Sequence, residues 1–450
     1  MGFQQGLSGL RASSTALDVT SNNVANSATV GFKAAQAHFA DVYADSLSGS
    51  GASQIGIGVG VASIQQNFAT GSITATSNPL DIAINGGGFF RMSDNGALTY
   101  SRNGQFHLDK SGYVVNSEGL HLTGYQTQTN ATTGAVSVSG VLGDIQVNSS
   151  DIPPVISSTS SLGANLDSRD IAPTTPLGVG TLSGTAPNYD PPDPSTYNRS
   201  TSETIYDSLG NAHSATFYFV KDATAANTWH VLSTVDGGKN NLGAITPVAD
   251  LHFTTSGILD EVATPPAVLT GTPTSPVTTT AAVSPFVTWD PATIPVPGQT
   301  PAQDLKFDFA GSTQFGSTFS VNKLEQNGYT AGRLTGLKVS GDGTILGSYS
   351  NNQFKTIGQV ALSKFTNPNG LISMGGNQWT ESSASGQPLT GAPNSSRLGL
   401  GVLQSSAVEE SNVDLTAELV NMIVEQRNYQ ANAQSIKTQD QLLNTLVNLR

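Results

Sequence analysis

The chain has 450 residues, of which only 11% are charged, and its 48 glycines accompany many Ser, Thr, Asn and Gln residues. A formal net charge of −13 argues against a nucleic-acid-binding protein, because such binding depends on Lys and Arg neutralising phosphates. The length exceeds one ordinary domain, so two or three globular units are expected. A polar, weakly charged surface is typical of a subunit that packs against copies of itself, although an extracellular β-rich protein shares it.

Cysteine is absent from the sequence, which excludes disulfides, thiolate metal sites and a cysteine nucleophile. No apolar run approaches the roughly 18 to 20 residues that a membrane-spanning helix needs, so no membrane insertion is expected. The first residues, MGFQQGLSGLRASSTALDV, lack the basic n-region, the apolar h-region and the cleavage site of a secretory signal peptide. We therefore expect a protein that stays inside the cell or leaves it without N-terminal cleavage.

The N-terminal residues predict an amphipathic helix. Apolar residues recur every three or four positions, which places them along one stripe of a helix. This stripe consists of Phe3, Leu7, Leu10, Leu17 and Val24. A turn-like sequence begins at Asn22, and Gly31, which can adopt a positive φ, is expected to close the helix.

Short strands separated by Gly and Asn turns fill most of the chain between its ends. Residues 71–145 predict a meander of such strands, and residues 321–405 show the same pattern of short strands and turns. Residues 146–320 predict a second β-domain, which includes a hairpin made by Thr204–Tyr206 and Ala215–Val220. We therefore expect an inner β-domain of 71–145 and 321–405, with the outer β-domain inserted into it. Residues 31–70 form a connecting stretch, and 246–305 are loops or a loosely specified β-insert.

The C-terminal residues predict a long helix from Asp414 to Arg450, which would extend about 55 Å at 1.5 Å per residue. Ser411 or Asp414 is expected to cap its start. The predicted seam consists of Leu419, Met422, Gln426, Tyr429, Ala433, Ile436, Asp440, Leu443 and Val447. Because Gln426 and Asp440 interrupt the apolar pattern, we expect the seam to be partly solvated and to contact more than one partner helix.

Each terminal helix thus has an apolar stripe that its sequence neighbours cannot cover. The predicted fold class is mostly β with long terminal α-helices, in which residues 1–30 and 406–450 form a helical core domain. The two helices would pair in a parallel or antiparallel coiled-coil-like arrangement, and neighbouring subunits would cover what remains. The simpler alternative is that both helices dock on the central β-domain as ordinary cover.

No catalytic, cofactor or metal site is predicted. The six histidines show no H-x-x-x-H or comparable ligand spacing. Asn85–Gly88 lacks the lysine of a phosphate-binding loop and is better interpreted as a hairpin turn, and no G-x-S-x-G elbow occurs. The neighbouring carboxylates Glu409 and Glu410 are expected to be solvated charges ahead of the C-terminal helix.

Both ends resemble the signatures of the flagellar rod and hook proteins. Residues 7–33, LSGLRASSTALDVTSNNVANSATVGFK, carry the N-terminal signature, and residues 410–450 resemble the C-terminal one. The signature positions are Asn22, Asn23, Ala25, Asn26, Gly31, Phe32 and Lys33. The length, with NPLDIAINGGGFF at 78–90 and YDSLGNAHSATFYFVK at 206–221, favours hook proteins over the shorter rod proteins. The resemblance fails only at about 146–200 and 240–305.

This resemblance implies a structural subunit and not an enzyme. In the family, paired terminal helices form the inner tube of a helical polymer, a β-domain surrounds them, and an inserted β-domain lies outermost. The hook is a curved, flexible universal joint that carries torque from the rod to the filament. The implied partners are further copies of the chain, the rod and hook-filament junction proteins, the hook cap and the flagellar type III export apparatus. The implied location is the extracellular basal body and hook, reached without a cleaved signal peptide.

The polymer interface of such a subunit is predicted along the terminal helices. Its expected residues are Leu7, Leu10, Leu17, Val24, Leu419, Met422, Ile436, Leu443 and Val447. We also expect the terminal helices to be largely disordered before assembly. A distal rod protein of the same family remains an alternative, as does a secreted β-rich adhesin or binding module. An enzyme is the least supported class.

Overall fold

The computed structural model describes residues 2–42, 56–129, 136–148, 150–174, 193–236, 246–263, 286–289 and 305–448. The chain forms two compact units, the first from Met1–Ser149 with Leu334–Arg450 and the second from Ser150–Arg333. In sequence, the second unit is therefore an insertion into the first. The fold is mostly β with a helix at each end, which confirms the predicted fold class. The finer division into four parts stays a prediction.

The element bounds are as follows. The helices are α1, Gly2–Ala25, and α2, Leu415–Asn448, with short 3₁₀ turns at Pro194–Thr196 and Pro368–Gly370. The first strands are β1 Ala35–Val42, β2 Gly58–Gln66, β3 Ile73–Ala75, β4 Ile82–Asn85, β5 Phe89–Asp94, β6 Ala97–Ser101, β7 His107–Leu108, β8 Val114–Val115, β9 His121–Thr129 and β10 Val136–Asp144. The inserted unit contains β11 Thr159–Asn165, β12 Arg199–Tyr206, β13 Ala212–Lys221, β14 Thr228–Val235, β15 Thr246–Phe253, β16 Leu259–Ala263, β17 Phe286–Trp289, β18 Leu305–Asp308 and β19 Ser320–Gln326. The last strands are β20 Leu334–Val339, β21 Thr344–Tyr349, β22 Phe354–Val360, β23 Leu362–Lys364, β24 Ile372–Gly375, β25 Gln378–Thr380, β26 Leu389–Gly391, β27 Val402–Ser405 and β28 Ala407–Glu409.

The first unit is built around a sheet in which the described residues supply 13 strands. Its main path runs β20-β21-β22-β9-β5-β6-β25-β24, so three strands from the first half of the unit lie between strands from the second half. The predicted meander is therefore only partly correct: β5 pairs with β6, β8 with β9 and β9 with β10, but β9 also pairs with β5 and strands of the second half flank this block. The reason is a shared core, because Phe90 and Met92 from the first half pack with Ile345, Val360 and Leu362 from the second. Tight turns at positive φ, as at Asn95–Gly96 between β5 and β6, join the consecutive pairs.

The described residues of the inserted unit form two sheets. Strands β12 to β16 form a five-stranded antiparallel sheet in sequence order, and a second sheet has the order β17-β18-β11-β19. Phe217, Trp229 and Leu251 of the first sheet share one buried core with Leu162 and Phe307 of the second. The pairing of β12 with β13 confirms the predicted hairpin. Much of the predicted loop region 246–305 lies outside the described residues.

His230 joins three chain segments of the five-stranded sheet. Its ring nitrogens lie 2.7 Å from Asp250 Oδ1 and 2.9 Å from Asp222 Oδ2, so an imidazolium donates to both carboxylates. Burial alone would lower the pKa of His230, but the two carboxylates outweigh it and raise the pKa above its ordinary value. The stabilisation is therefore fully present below about pH 6.5 and is lost as the pH rises through the folded-state pKa.

Replacing His230 with Gln should destabilise the inserted unit most in mildly acidic solution. We expect the free energy of unfolding to fall by about 1 to 3 kcal/mol at about pH 6, the range for hydrogen bonds to charged groups. The deficit should shrink towards alkaline pH, because the wild-type imidazole is then neutral too. Urea unfolding across this pH range measures it, with the exposed His107→Gln as control. A loss of unfolding free energy of the same size at every pH would contradict stabilisation by a charged imidazolium at His230.

The helix ends show how the terminal segments are capped. Asp414 caps α2, because its Oδ1 accepts hydrogen bonds from the backbone N–H groups of Thr416 at 3.0 Å and Ala417 at 3.1 Å. This confirms one of the two predicted caps. Helix α1 ends at Ala25, earlier than the predicted closure at Gly31, although Gly31 does have a φ of +73°. None of the described helices combines the length and apolarity needed to cross a bilayer.

Candidate assembly interface of the terminal helices

Helices α1 and α2 pack against each other in antiparallel orientation. A Cβ placed on Gly6 would lie 3.0 Å from Ile436 Cγ1 near one end of the pair. Near the other end, Asn23 Nδ2 donates to Glu418 Oε1 at 3.2 Å. Because the partner number falls as the α1 number rises, the helices run in opposite directions. This decides between the parallel and antiparallel pairings that the sequence left open.

The α1 side of the contact is a stripe of small and polar residues. These residues, spaced three and four apart, are Gly6, Gly9, Ser13, Ala16, Thr20 and Asn23. All are buried except the half-buried Gly9, where a Cβ would meet the side chain of Asn432 at 2.8 Å. Small side chains allow two helix backbones to approach closely. The stripe has the same period as the predicted apolar stripe, offset by one residue, so the periodicity of Gly, Ala and Ser was the signal that could have revealed it.

The predicted interface residues lie mostly beside this contact. Leu7, Leu10, Leu17 and Val24 are half-buried on α1. On α2, Met422 and Ile436 are half-buried, whereas Leu419 and Leu443 are 44% and 55% exposed. The side chain of Val447 lies outside the part of the chain whose side chains the structure describes. Of this set, Ile436 contacts the small-residue stripe, at Gly6. The role of these residues in a polymer stays a prediction.

Helix α2 presents an uncovered apolar face. Among residues 415–445, whose side chains the structure describes, none is buried. The large apolar residues that are more than two-fifths exposed on it are Leu415, Leu419, Val420, Ile423, Val424, Leu442 and Leu443. Fully burying one such side chain contributes about 1.5 to 3 kcal/mol. At 3.6 residues per turn, six of the seven lie within one half of the helix circumference and Leu443 lies outside it. The seven residues together are called the α2 apolar face below.

The signature asparagines fasten the end of α1. Asn23 is 1% exposed, and its side-chain amide exchanges two hydrogen bonds with the backbone of Ala35, at 2.8 and 2.9 Å. Asn26 Nδ2 donates to Asn22 O at 3.0 Å, and the same oxygen accepts from the backbone N–H of Asn26 at 3.1 Å, so both donors hold the last turn of α1. The signature thus ties the end of α1 to the start of β1. The remaining signature residues Ala25 and Phe32 are exposed and half-buried, respectively.

The other signature residues, Gly31 and Lys33, reach the segment that leads into α2. The backbone N–H of Gly31 donates to Glu409 O at 2.8 Å, and Lys33 Nζ lies 2.5 Å from Glu409 Oε1. Arg102 Nη1 lies 3.2 Å from Glu409 Oε2. Glu409 is only 1% exposed, so the expectation that it is a solvated charge is wrong. Its burial is possible because two cations from distant parts of the chain surround its carboxylate.

Histidine and aspartate side chains elsewhere in the described residues form pairs that stabilise loops and strands. His213 Nδ1 lies 2.7 Å from Asp236 Oδ2, and His121 Nδ1 lies 2.9 Å from Asp144 Oδ2. Within the described ranges, no three His, Asp or Glu side chains are grouped so that they could hold a metal ion. The arrangement with most to offer a binding partner is therefore the pair of terminal helices.

Four family models match the chain. The Flagella basal body rod protein model matches residues 3–33, and the Flagellar hook protein FlgE/F/G D1 domain model matches residues 83–152. The Flagellar basal body protein FlaE D2 domain model matches residues 165–329, and the Flagellar basal body rod FlgEFG protein C-terminal model matches residues 404–449. The first and last of these matches coincide with the two terminal helices.

Known proteins resemble the chain over its whole length. The flagellar hook protein FlgE of Salmonella typhimurium is 40% identical over 453 residues, covering 100% of both chains. The same values hold for the flagellar hook protein FlgE of Escherichia coli. Among solved structures, the Helicobacter pylori flagellar hook protein FlgE2 is 14% identical with a TM-score of 0.49, covering 75% of this chain and 100% of that one, a likeness too slight to carry an argument. Because the identity to the first two relatives extends from end to end, the chain belongs to the flagellar hook protein family, whose members are structural subunits and not enzymes.

Proposed function

We propose that copies of this chain polymerise into the flagellar hook by burying the α2 apolar face between neighbouring copies. The single observation that carries the proposal is the exposure of seven large apolar side chains on a helix without a buried residue at 415–445. Because these side chains are 44% to 59% exposed, a monomer that leaves this face in water forgoes about 0.7 to 1.5 kcal/mol for each of them, half the value for full burial. Packing against the helices of other copies recovers that free energy.

The half-buried leucines of α1 extend the proposed interface. Leu7, Leu10 and Leu17 lie next to the small-residue stripe that contacts α2, so they border the helix pair without being enclosed by it. An α-helix from a second copy that packs along this border would cover both the leucine stripe and part of the α2 apolar face. In this scheme the small-residue stripe holds the two helices of one copy together, and the large apolar residues join copies.

The β-units are proposed to supply contacts that slide when the hook bends. Their surfaces are rich in Ser, Thr, Asn and Gln, and weakly polar contacts exchange with water at little cost when copies shift by small distances. The helices then give cohesion and the β-units give compliance. Such a division of roles would allow a curved, flexible universal joint to pass torque from the rod to the filament.

The proposed partners and location follow from this role. Besides further copies of itself, the subunit would contact the rod, the hook-filament junction proteins, the hook cap and the flagellar type III export apparatus. It would act outside the cell, exported without a cleaved signal peptide. The absence of cysteine supports this route, because no disulfide would obstruct the passage of an unfolded chain through a narrow channel.

A pair of charge substitutions on α2 tests the proposed interface. The double variant Leu419→Asp with Ile423→Asp should raise the critical concentration for polymerisation by about a hundredfold or more, because two apolar burials are lost, two carboxylates would have to be desolvated, and each 1.4 kcal/mol is tenfold. The matched control is Gln430→Asp with Gln434→Asp, which adds the same charges at the same spacing to exposed positions of α2. Sedimentation at rising concentration measures both variants.

The outcomes of this experiment separate the competing functions. Equal effects in the two double variants, or no effect in the first, would contradict the proposed interface. A wild-type chain that stays monomeric at every concentration would favour an adhesin or binding module. Electron micrographs of the polymer distinguish the hook from the rod alternative, since a curved tube supports the hook and a straight, rigid tube supports the rod.

A further inference from the structure

Three buried ionic side chains of the first unit form what we call the junction cluster: Lys33, Arg102 and Glu409. They are 1%, 2% and 1% exposed. The carboxylate of Glu409 bridges the two cations, with Lys33 Nζ at 2.5 Å and Arg102 Nη1 at 3.2 Å. The cluster therefore contains two buried cations and one buried anion, an arrangement that folding does not produce by apolar burial alone.

The members of the junction cluster come from three different parts of the fold. Lys33 follows the end of α1, and Glu409 is the last residue of β28, shortly before the cap of α2 at Asp414. Arg102 follows β6, a strand of the large sheet, and its guanidinium lies over the ring of Phe89, 5.2 Å from the centroid. The cluster thus joins the chain leaving α1, the chain entering α2 and the body of the sheet.

Further hydrogen bonds close the same junction. Lys33 Nζ donates to Ala69 O at 2.7 Å, and Asn412 Nδ2 donates to the same oxygen at 3.2 Å. Asn412 Oδ1 accepts a hydrogen bond from the backbone N–H of Ala34 at 2.8 Å. Glu409 Oε1 also accepts one from the backbone N–H of Gly71 at 3.0 Å. The segments next to the two helices are therefore bonded to each other and to one loop.

Stability alone does not account for this arrangement. Burial lowers the pKa of Lys33 and of Arg102 from their ordinary values, because removal from water disfavours the charged form more than Glu409 favours it. Well-packed apolar residues in place of a buried ion cluster are often neutral or stabilising, whereas directional charged hydrogen bonds specify one geometry. In the described part of the chain, Arg102 Nε also lacks a hydrogen-bond partner. A cluster that is costly and directional is suited to fixing orientation.

We propose that the junction cluster is a coupling joint that fixes the direction in which both terminal helices leave the sheet of the first unit. A rotation of the helices would have to break charged hydrogen bonds, so it is passed to the sheet instead of being absorbed in the connecting chain. The role of this joint in carrying load within a polymer rests on the proposed function. The existence of the joint does not, because it concerns contacts within one copy.

Amide hydrogen exchange on the full-length chain tests the joint. In the triple variant Lys33→Met, Arg102→Met, Glu409→Met, apolar side chains of similar length fill the site without directional bonds. We expect amides at 22–35 and 409–418 to exchange at least about tenfold faster than in the wild type, while amides of β5 and β22 keep their protection. Arg199→Met, which removes a 2.9 Å ion pair of the inserted unit, is the control and should leave both regions unchanged.

Two results of the exchange experiment would overturn the proposal. Exchange at the wild-type rate at 22–35 in the triple variant would overturn the proposal, because the three Met side chains would then hold this segment as well as the charged side chains do. Uniformly faster exchange throughout the first unit would overturn it too, since the cluster would then be ordinary core. The single variant Glu409→Gln provides a second measurement, and the same selective acceleration is expected from it.

A mechanical measurement extends the test to the polymer. Tubes assembled from the triple variant should keep their diameter but show at least about twofold lower torsional stiffness, because the helices can rotate against the sheet. Unchanged stiffness would overturn the load-carrying role. If the wild-type chain forms no tube, the proposed function fails, while the exchange experiment on single copies still decides whether the joint exists.

Discussion

Removing residues 414–450 should abolish polymerisation while leaving both β-units folded. The deletion takes away the whole α2 apolar face and the partner of the small-residue stripe on α1. The two large apolar cores contain no residue of either helix, so neither core is opened by the deletion. Sedimentation measures polymerisation, and near-ultraviolet circular dichroism together with calorimetry measures the folded β-units.

The truncated chain has to be compared with the full-length chain at the same concentrations. An intact tube formed by the truncated chain would contradict the assembly role of α2. Loss of the cooperative unfolding transitions would instead show that α2 is required for folding, as the simpler alternative of ordinary helix cover predicts. Retained transitions without tubes are the expected result, because assembly and folding then depend on different surfaces.

Replacing Gly31 with Ala should be strongly destabilising. Gly31 has a φ of +73°, and an added Cβ would lie 2.6 Å from Asn103 N and 2.8 Å from the carbonyl carbon of Arg102. These are backbone atoms, which cannot move aside as a flexible side chain would. We expect the free energy of unfolding of the first unit to fall by about 3 to 5 kcal/mol, from backbone strain and the forced displacement together.

Gly119 offers a matched control for this substitution. Its φ is +83°, similar to that of Gly31, but a Cβ there would meet no atom within 4 Å. Gly119→Ala should therefore cost only the left-handed backbone term, about 1 to 2 kcal/mol. Calorimetry of both variants measures the difference. Equal losses would show that the close approach to Asn103 contributes nothing.

Local patterns in the sequence were sufficient for the two helices and for the resemblance at the two ends, but not for the paired strands β1 and β2 in the predicted connecting stretch 31–70. The three- and four-residue periodicity at both termini predicted helices that the structure contains, and Asp414 was one of the two residues, with Ser411, that were expected to cap α2. Turn residues likewise predicted the β12–β13 hairpin. These features depend on neighbouring residues, and their physical causes are therefore visible in a short stretch of chain.

The arrangement of those elements depended on contacts between distant residues. The period of α1 does not say which of two adjacent stripes meets α2, and the stripe containing Gly6 and Gly9 does so because it permits the closer approach. In the large sheet, strands β9, β5 and β6 of the first half lie between strands of the second half because both halves share one core. Glu409 was expected in solvent because it lies in the segment that leads into the C-terminal helix, where a charged side chain is usually solvated. It is buried because Lys33, 376 positions away, and Arg102, 307 positions away, reach its carboxylate only in the folded chain.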